Sequence, residues 1–162
     1  MVGKLTPDNQ LSVSRLPALL NASPWETQNE LLEQFISIDE GNPPTRIPQN
    51  EPMELGDYFE PFILQKAAER LGLTNVETDI TIPYQHDHLP LAASLDGTGV
   101  GKGSVIANWD KGIYVPQGGA IDIEGVGLIE AKLTSARPEE IPATHRGRYQ
   151  LQGQMMCTGY KW

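Results

Sequence analysis

Apolar positions recur along this chain with two different periods, and the change between them falls near residue 77. Before it, three groups recur at spacings of three and four: Leu16, Leu19 and Leu20; Leu31, Leu32 and Phe35; and Leu55, Phe59, Phe62, Ile63 and Leu71. That spacing predicts helices with one apolar face each. Ser14 is placed to cap the first. In "SPWE", Ser23 at the N-cap, Pro24 at the first helical position and Glu26 three residues on predict a capping box for the second. A Pro-rich loop over 41–53 leads to the third helix, expected over roughly 54–71, where Pro61 should kink it or mark a restart.

Beyond residue 77 the pattern alternates. "ETDITIP" reads as a strand, and "LPLAASLDG" as a second one ending in a turn at Asp96-Gly97. Glycine-rich segments follow, with short strands in "SVIANW" and "GIYVP", and together they suggest a hairpin excursion. "GVGLIEAKLT" (125–134) is the next strand, and "HRGRYQLQGQMMCTG" is a helix that stops at Gly159, a natural C′ residue. Helices, then strands, then a helix predict an α+β or mixed α/β class. No internal repeat is evident.

Length and composition narrow the class. With 162 residues, 39% hydrophobic and 20% charged, the chain suits a single domain, 1–162, with a real core. No apolar run approaches the roughly 18 residues of a membrane span, and no signal-peptide pattern opens the chain, so no membrane partner is expected. One cysteine, Cys157, excludes an internal disulfide framework and fits a reducing, cytoplasmic setting. The net charge of −9 argues against a general basic groove, but it is unevenly spread. Residues 1–127 carry −11, whereas residues 128–162 carry +2 through Lys132, Arg137, Arg146, Arg148 and Lys161. That tail could touch phosphates, or so small an excess could have no role.

Chemistry centres on "GVGLIEAKLT". In a strand, Glu130 and Lys132 share a face, and two charges on a short apolar strand are costly unless the strand ends in solvent or delivers them into a cleft. If the Asp96 and Glu130 strands are sheet neighbours, their carboxylates converge, with Glu60 on a helix nearby. Such a group stays ionised only with a cation, and oxygen ligands suit Mg²⁺ or Mn²⁺. The main-chain carbonyl of Ala131 could complete the shell, and Lys132 could orient a water or stabilise charge on a phosphate. The spacing alone is weak, because Asp, then Glu-x-Lys, occurs by chance in many chains. Other motifs are weaker still. "GTGVGKG" lacks the Walker spacing and reads as a flexible hairpin loop; "HDH" (86–88) sits in a polar turn; His145 reads as a loop residue or backbone contact; Trp25, Trp109 and Trp162 read as packing residues.

"LAASLDG", "GLIEAKL" and "YQLQGQMMCTGYKW" together resemble the YqaJ-type viral recombinase nucleases, the lambda-exonuclease-like group of the PD-(D/E)xK superfamily. The resemblance runs from about Ser14 to Trp162. It implies a restriction-endonuclease-like core, a central mixed β-sheet flanked by helices. It places Glu60, through "GDYFE", on the family's helix glutamate, Asp96 on its metal-binding aspartate, Glu130 on its glutamate and Lys132 on its lysine. Tyr149 and Gln152 match its Tyr-x-x-Gln, on one helical face, with Gln154 facing elsewhere. Metal ligation by Asp96, Glu130, the Ala131 carbonyl and Glu60 is implied. So is 5′–3′ degradation of linear double-stranded DNA in phage-type recombination, by a phage- or prophage-encoded protein in a bacterial cytoplasm. A single-strand annealing recombinase partner and a homo-oligomer, a trimer, are implied too. Ser14, with Arg146 and Arg148, would contact DNA phosphate. The sequence departs in three places. Leu95 stands where the superfamily often has proline, and Pro7 where an arginine accompanies Ser14. The 33 residues between Asp96 and Glu130 suggest a glycine-rich hairpin insertion over 97–127. Relatives also continue beyond the position of Trp162. With the same site, a restriction- or repair-type endonuclease and a non-catalytic DNA-binding module are the alternatives.

Overall fold

The computed structural model describes residues 6–7, 9–43, 48–115, 118–134 and 147–162. The described elements, in order, begin with β1 (Leu11–Ser12), a 3-10 turn (Val13–Arg15), α1 (Leu16–Leu19), α2 (Gln28–Asp39) and α3 (Glu51–Leu71). Strands β2 (Thr74–Glu77), β3 (Tyr84–Gln85), β4 (Leu91–Ala93), β5 (Gly97–Gly101) and β6 (Ser104–Ile106) follow. After a second 3-10 turn (Trp109–Lys111) come β7 (Ala120–Asp122), β8 (Gly125–Ile129) and α4 (Tyr149–Thr158). The α+β class expected from the pattern is the one observed. The chain divides into two compact units, one of Met1–Asn50, Thr81–Ser94 and Pro142–Thr158, the other of Glu51–Ile80, Leu95–Ile141 and Gly159–Trp162.

In the first unit a small mixed sheet pairs β1 parallel and β3 antiparallel to β4. Its core is Val13, Ala18, Leu31, Leu91, Ala92 and Ala93. α4 lies close against the first 3-10 turn and α1, because Gly153 offers no side chain where Val13 and Leu16 pack. α4 ends before Gly159 at φ 72°, as its sequence predicts. The cap of α2 differs from the expectation. Thr27 accepts the amide hydrogen bond of Glu30, whose carboxylate reaches back to the Thr27 amide, so "TQNE" forms the box and "SPWE" does not. The reason is competition: Glu26 is held by Arg15 and Gln34, and Ser23 only caps a tight turn onto the amides of Trp25 and Glu26.

In the second unit β5 is the centre of an antiparallel sheet, with β2 on one side and β8 on the other. β5 and β8 run in unbroken register from Gly97 opposite Ile129 to Gly101 opposite Gly125. The segment read as a flexible loop, "GTGVG", is therefore a buried strand. Its glycines serve close approach rather than flexibility. Gly97 lies under Leu64 of α3, Gly99 under Leu73, and Gly101 under Ile123, where a Cβ would stand 2.3 Å from the Ile123 carbonyl oxygen. The remaining residues of the 97–127 segment hold β6, β7 and the second 3-10 turn, a two-stranded ribbon between β5 and β8. The first strand of this unit also falls upstream of "ETDITIP", at Thr74–Glu77. Leu73, seated on Gly99, fixes where the chain enters the sheet.

α3 continues through Pro61 and starts at Glu51, three residues earlier than expected. Its buried Leu64 packs on Ile129 and Ala131, with Ile63, Ala67 and Leu73 around them. Two glycine substitutions should separate packing from helix propensity. Gly101→Ala, facing an immovable carbonyl, should cost about 1–3 kcal/mol. Gly56→Ala, with nothing within 4 Å of its Cβ inside α3, should gain up to about 1 kcal/mol. Urea unfolding of the two variants measures both, and equal effects would contradict the packing account.

Candidate active site

The β5–β8 register determines the site. Counting one rung past Gly97 and Ile129 sets Asp96 opposite Glu130. Here the backbone ladder stops, but the pairing does not: the Ala131 N–H donates to Asp96 Oδ2 at 2.8 Å, a side-chain carboxylate acting where a strand carbonyl would. Alternation then sorts the residues. Ile129 and Ala131 turn to Leu64 of α3, and Glu130 and Lys132, at alternate positions, share a face. The expected sharing of a face by Glu130 and Lys132 is realised as an ion pair between them. The Glu130 side chain is only 4% exposed and that of Lys132 43%, so the pair runs from the interior outward. This answers the choice left open by the spacing: the strand does not simply end in solvent.

Electrostatics at this end of the sheet are crowded. Burial first, and then the facing Glu130 carboxylate, push the Asp96 carboxyl up to about 6; Glu60 adds to the rise, while the Ala131 hydrogen bond and Lys132 oppose it. Glu60 is also raised, by burial and then by Asp57 and Glu130, with Lys132 opposing. Glu60 thus stands within the field of Glu130 and Lys132, one helical turn before Leu64. Asp57, one turn before Glu60, strengthens that field and was not singled out by any motif, although its three-residue spacing was visible in "GDYFE".

The donor set suits a hard cation in its smaller form. Among the described residues no three His, Cys, Asp or Glu side chains gather closely enough to hold a metal. Two carboxylates, Asp96 and Glu130, with the Ala131 main chain beside them, are what the fold brings together. Mg²⁺ characteristically takes one or two carboxylates and completes its shell with water. The mutual repulsion that keeps Asp96 hard to ionise is the quantity a divalent ion relieves. Glu60 contributes charge nearby without joining a three-ligand cluster.

The other described residues of the expected site belong to the first unit. Tyr149 and Gln152 belong to the first unit, where Tyr149 is half-buried and Gln152 exposed. The buried glutamine of α4 is Gln154, whose Nε2 donates to the Ser94 carbonyl at 3.3 Å. Ser14, also in the first unit, is exposed, with its hydroxyl 2.9 Å from that of Ser12. Arg148 is exposed, and Arg146 and His145 lie outside the described residues. His86 Nδ1 accepts the amide hydrogen bonds of His88 and Leu89, so the "HDH" segment caps its own turn.

With this geometry in hand, the family can be stated. Residues 8–161 match the model of the YqaJ-like viral recombinase domain. The chain belongs to that family. The crystal structure of LHK-Exo in complex with dAMP superposes with a TM-score of 0.60 at 20% identity, covering 96% of this chain and 67% of that one. It bears out the restriction-endonuclease-like α+β fold. No curated protein matches the chain. No described helix is long and apolar enough to cross a membrane.

A stability experiment tests the crowding at Asp96. Because its folded pKa lies above the unfolded value, its neutral form stabilises the fold fully below about pH 4, and that contribution is lost as pH rises through about 6. Asp96→Asn keeps an acceptor for the Ala131 N–H and removes the charge. In chelator at pH 7.5 it should raise stability by on the order of 1–2 kcal/mol, with the difference vanishing near pH 4. Thermal or urea melts across that range check it, and a destabilised variant at pH 7.5 would contradict the assignment.

Proposed function

We propose that this YqaJ-family domain is a divalent-metal-dependent deoxyribonuclease that resects linear double-stranded DNA in phage-type recombination. The observation that carries the reading is the rung formed by Asp96 and Ala131, which sets two carboxylates and a lysine on one side of a strand end. Family membership gives the recombination context. The 5′–3′ direction is the one implied by the likeness to lambda-type exonucleases.

In this reading Asp96 and Glu130 would hold Mg²⁺ or Mn²⁺, together with the Ala131 carbonyl and Glu60. When bound, the ion supplies a positive centre against which charge on the attacked phosphate develops. Lys132 stands at the outer, more exposed end of its pair with Glu130. Its ammonium orients the attacking water and balances the charge building on the phosphate. The water oxygen forms the new bond to phosphorus and gives a proton to solvent, the bond to the sugar oxygen breaks, and solvent returns a proton to the leaving oxygen. Ala131 matters for its size: its methyl fits against Leu64 and Ile129 while its amide holds Asp96.

Digestion of a linear duplex labelled at either end, beside a closed circle, tests the proposal. Wild-type protein with Mg²⁺ should shorten the linear duplex from its 5′ ends and spare the circle, and chelator should abolish the reaction. Lys132→Ala and Asp96→Ala should each lower the rate by about 10²-fold or more, the size of loss known for removal of one charge-stabilising group. Full activity in either variant would overturn the site, whereas cutting of the circle would replace exonuclease with endonuclease.

A further inference from the structure

Strand β8 is gripped from its second edge and from above by a residue that the chemistry does not use. The Leu128 N–H donates to the main-chain oxygen of Trp162 at 2.8 Å. The Trp162 indole Nε1–H donates to the Gly125 carbonyl at 3.2 Å. The indole ring itself lies flat enough on the strand that a Cβ on Gly127 would stand 2.1–2.4 Å from three of its ring carbons. Three positions of β8, Gly125, Gly127 and Leu128, are thus fixed by one side chain and its backbone, all within the second unit. The glycine and the tryptophan are complementary: the contact exists only because position 127 has no side chain.

This grip has a consequence for the site. β5 holds the other edge of β8 through backbone hydrogen bonds, and three of its five residues are glycines that add no side-chain packing. Sliding or tilting of β8 against β5 would carry Glu130, Ala131 and Lys132 with it, since they follow Ile129 directly. A slip of one residue would also reverse the faces of all three. The geometry points to Trp162 as a positioning residue that locks the β8 register and so sets the spacing of Glu130 from Asp96. It acts through the strand and touches neither the ion nor the DNA. This inference rests on the metal-site reading above.

The test is Mn²⁺ titration by calorimetry on the folded, DNA-free protein at a temperature well below every variant's melting transition. Trp162→Ala should weaken Mn²⁺ binding about tenfold or more, within the ~10–100-fold range found when groups behind a metal's direct ligands are removed. Trp162→Phe, which keeps a ring over Gly127 and the main-chain bond, should recover most of that loss. Gly127→Ala should reproduce the Trp162→Ala defect alone but add nothing to it in the double variant, because the new methyl then enters the space left by the ring. A merely structural tryptophan would lower the melting temperature and leave the Mn²⁺ affinity of the folded state unchanged, and that result overturns the inference. Fully additive losses in the double variant overturn it as well. If wild-type protein shows no Mn²⁺ binding that Asp96→Ala abolishes, the metal-site reading itself fails, a result distinguishable from failure of the clamp.

Discussion

One hydrogen bond, from the Ala131 amide to the Asp96 carboxylate, organises the end of the β5–β8 sheet. It extends the β5–β8 ladder by a rung in which a side chain replaces a backbone carbonyl. A normal rung would pair two neutral peptides. This one buries part of a carboxylate and aligns it with a second, Glu130, from the facing strand. The ladder of five paired residues behind it supplies the binding energy that keeps two like charges together. Without that scaffold the two side chains would separate, because repulsion and desolvation both favour their parting.

The same arrangement explains the glycines. A strand made of Gly97, Thr98, Gly99, Val100 and Gly101 has poor intrinsic propensity and little packing of its own. It persists because bulky neighbours come down onto the bare backbone: Leu64 and Leu73 on β5, Trp162 on the facing glycine of β8. Close approach brings α3 near enough for Glu60 to feel Glu130, so the thin strand and the acidic field at its end have one cause. Fold and function meet in the absence of side chains.

How much of this was legible in the sequence depended on whether the deciding forces were local. The helices were, since their apolar spacing and Gly159 act within a few residues. The pairing of Asp96 with Glu130 was legible as a candidate from residue type, and the resemblance of three segments gave it weight. Strand β5 was not, because glycine composition signals a loop locally and only the atoms overhead show that a strand is required. The cap of α2 was ambiguous for a similar reason. "SPWE" and "TQNE" satisfy the same local rule, and the choice falls to Arg15, distant in sequence, which removes Glu26 from the competition. Trp162 was legible as a packing residue, but the strand it grips, and the carbonyl that Gln154 reaches, could be known only from the folded chain.

The charge pattern follows from the same physics. On the proposed reading, a protein of net charge −9 that acts on a polyanion must confine attraction to a small region. The described positive groups near the site are few, and Lys132 begins neutralised by Glu130. Its charge becomes available to a phosphate only when something else satisfies the glutamate. On that reading a divalent ion would do so and at the same time relieve Asp96, so cation binding and exposure of the lysine would be coupled through one carboxylate. On the proposed reading the metal-free site would repel nucleic acid and the loaded site attract it, which would tie DNA engagement to the presence of the ion.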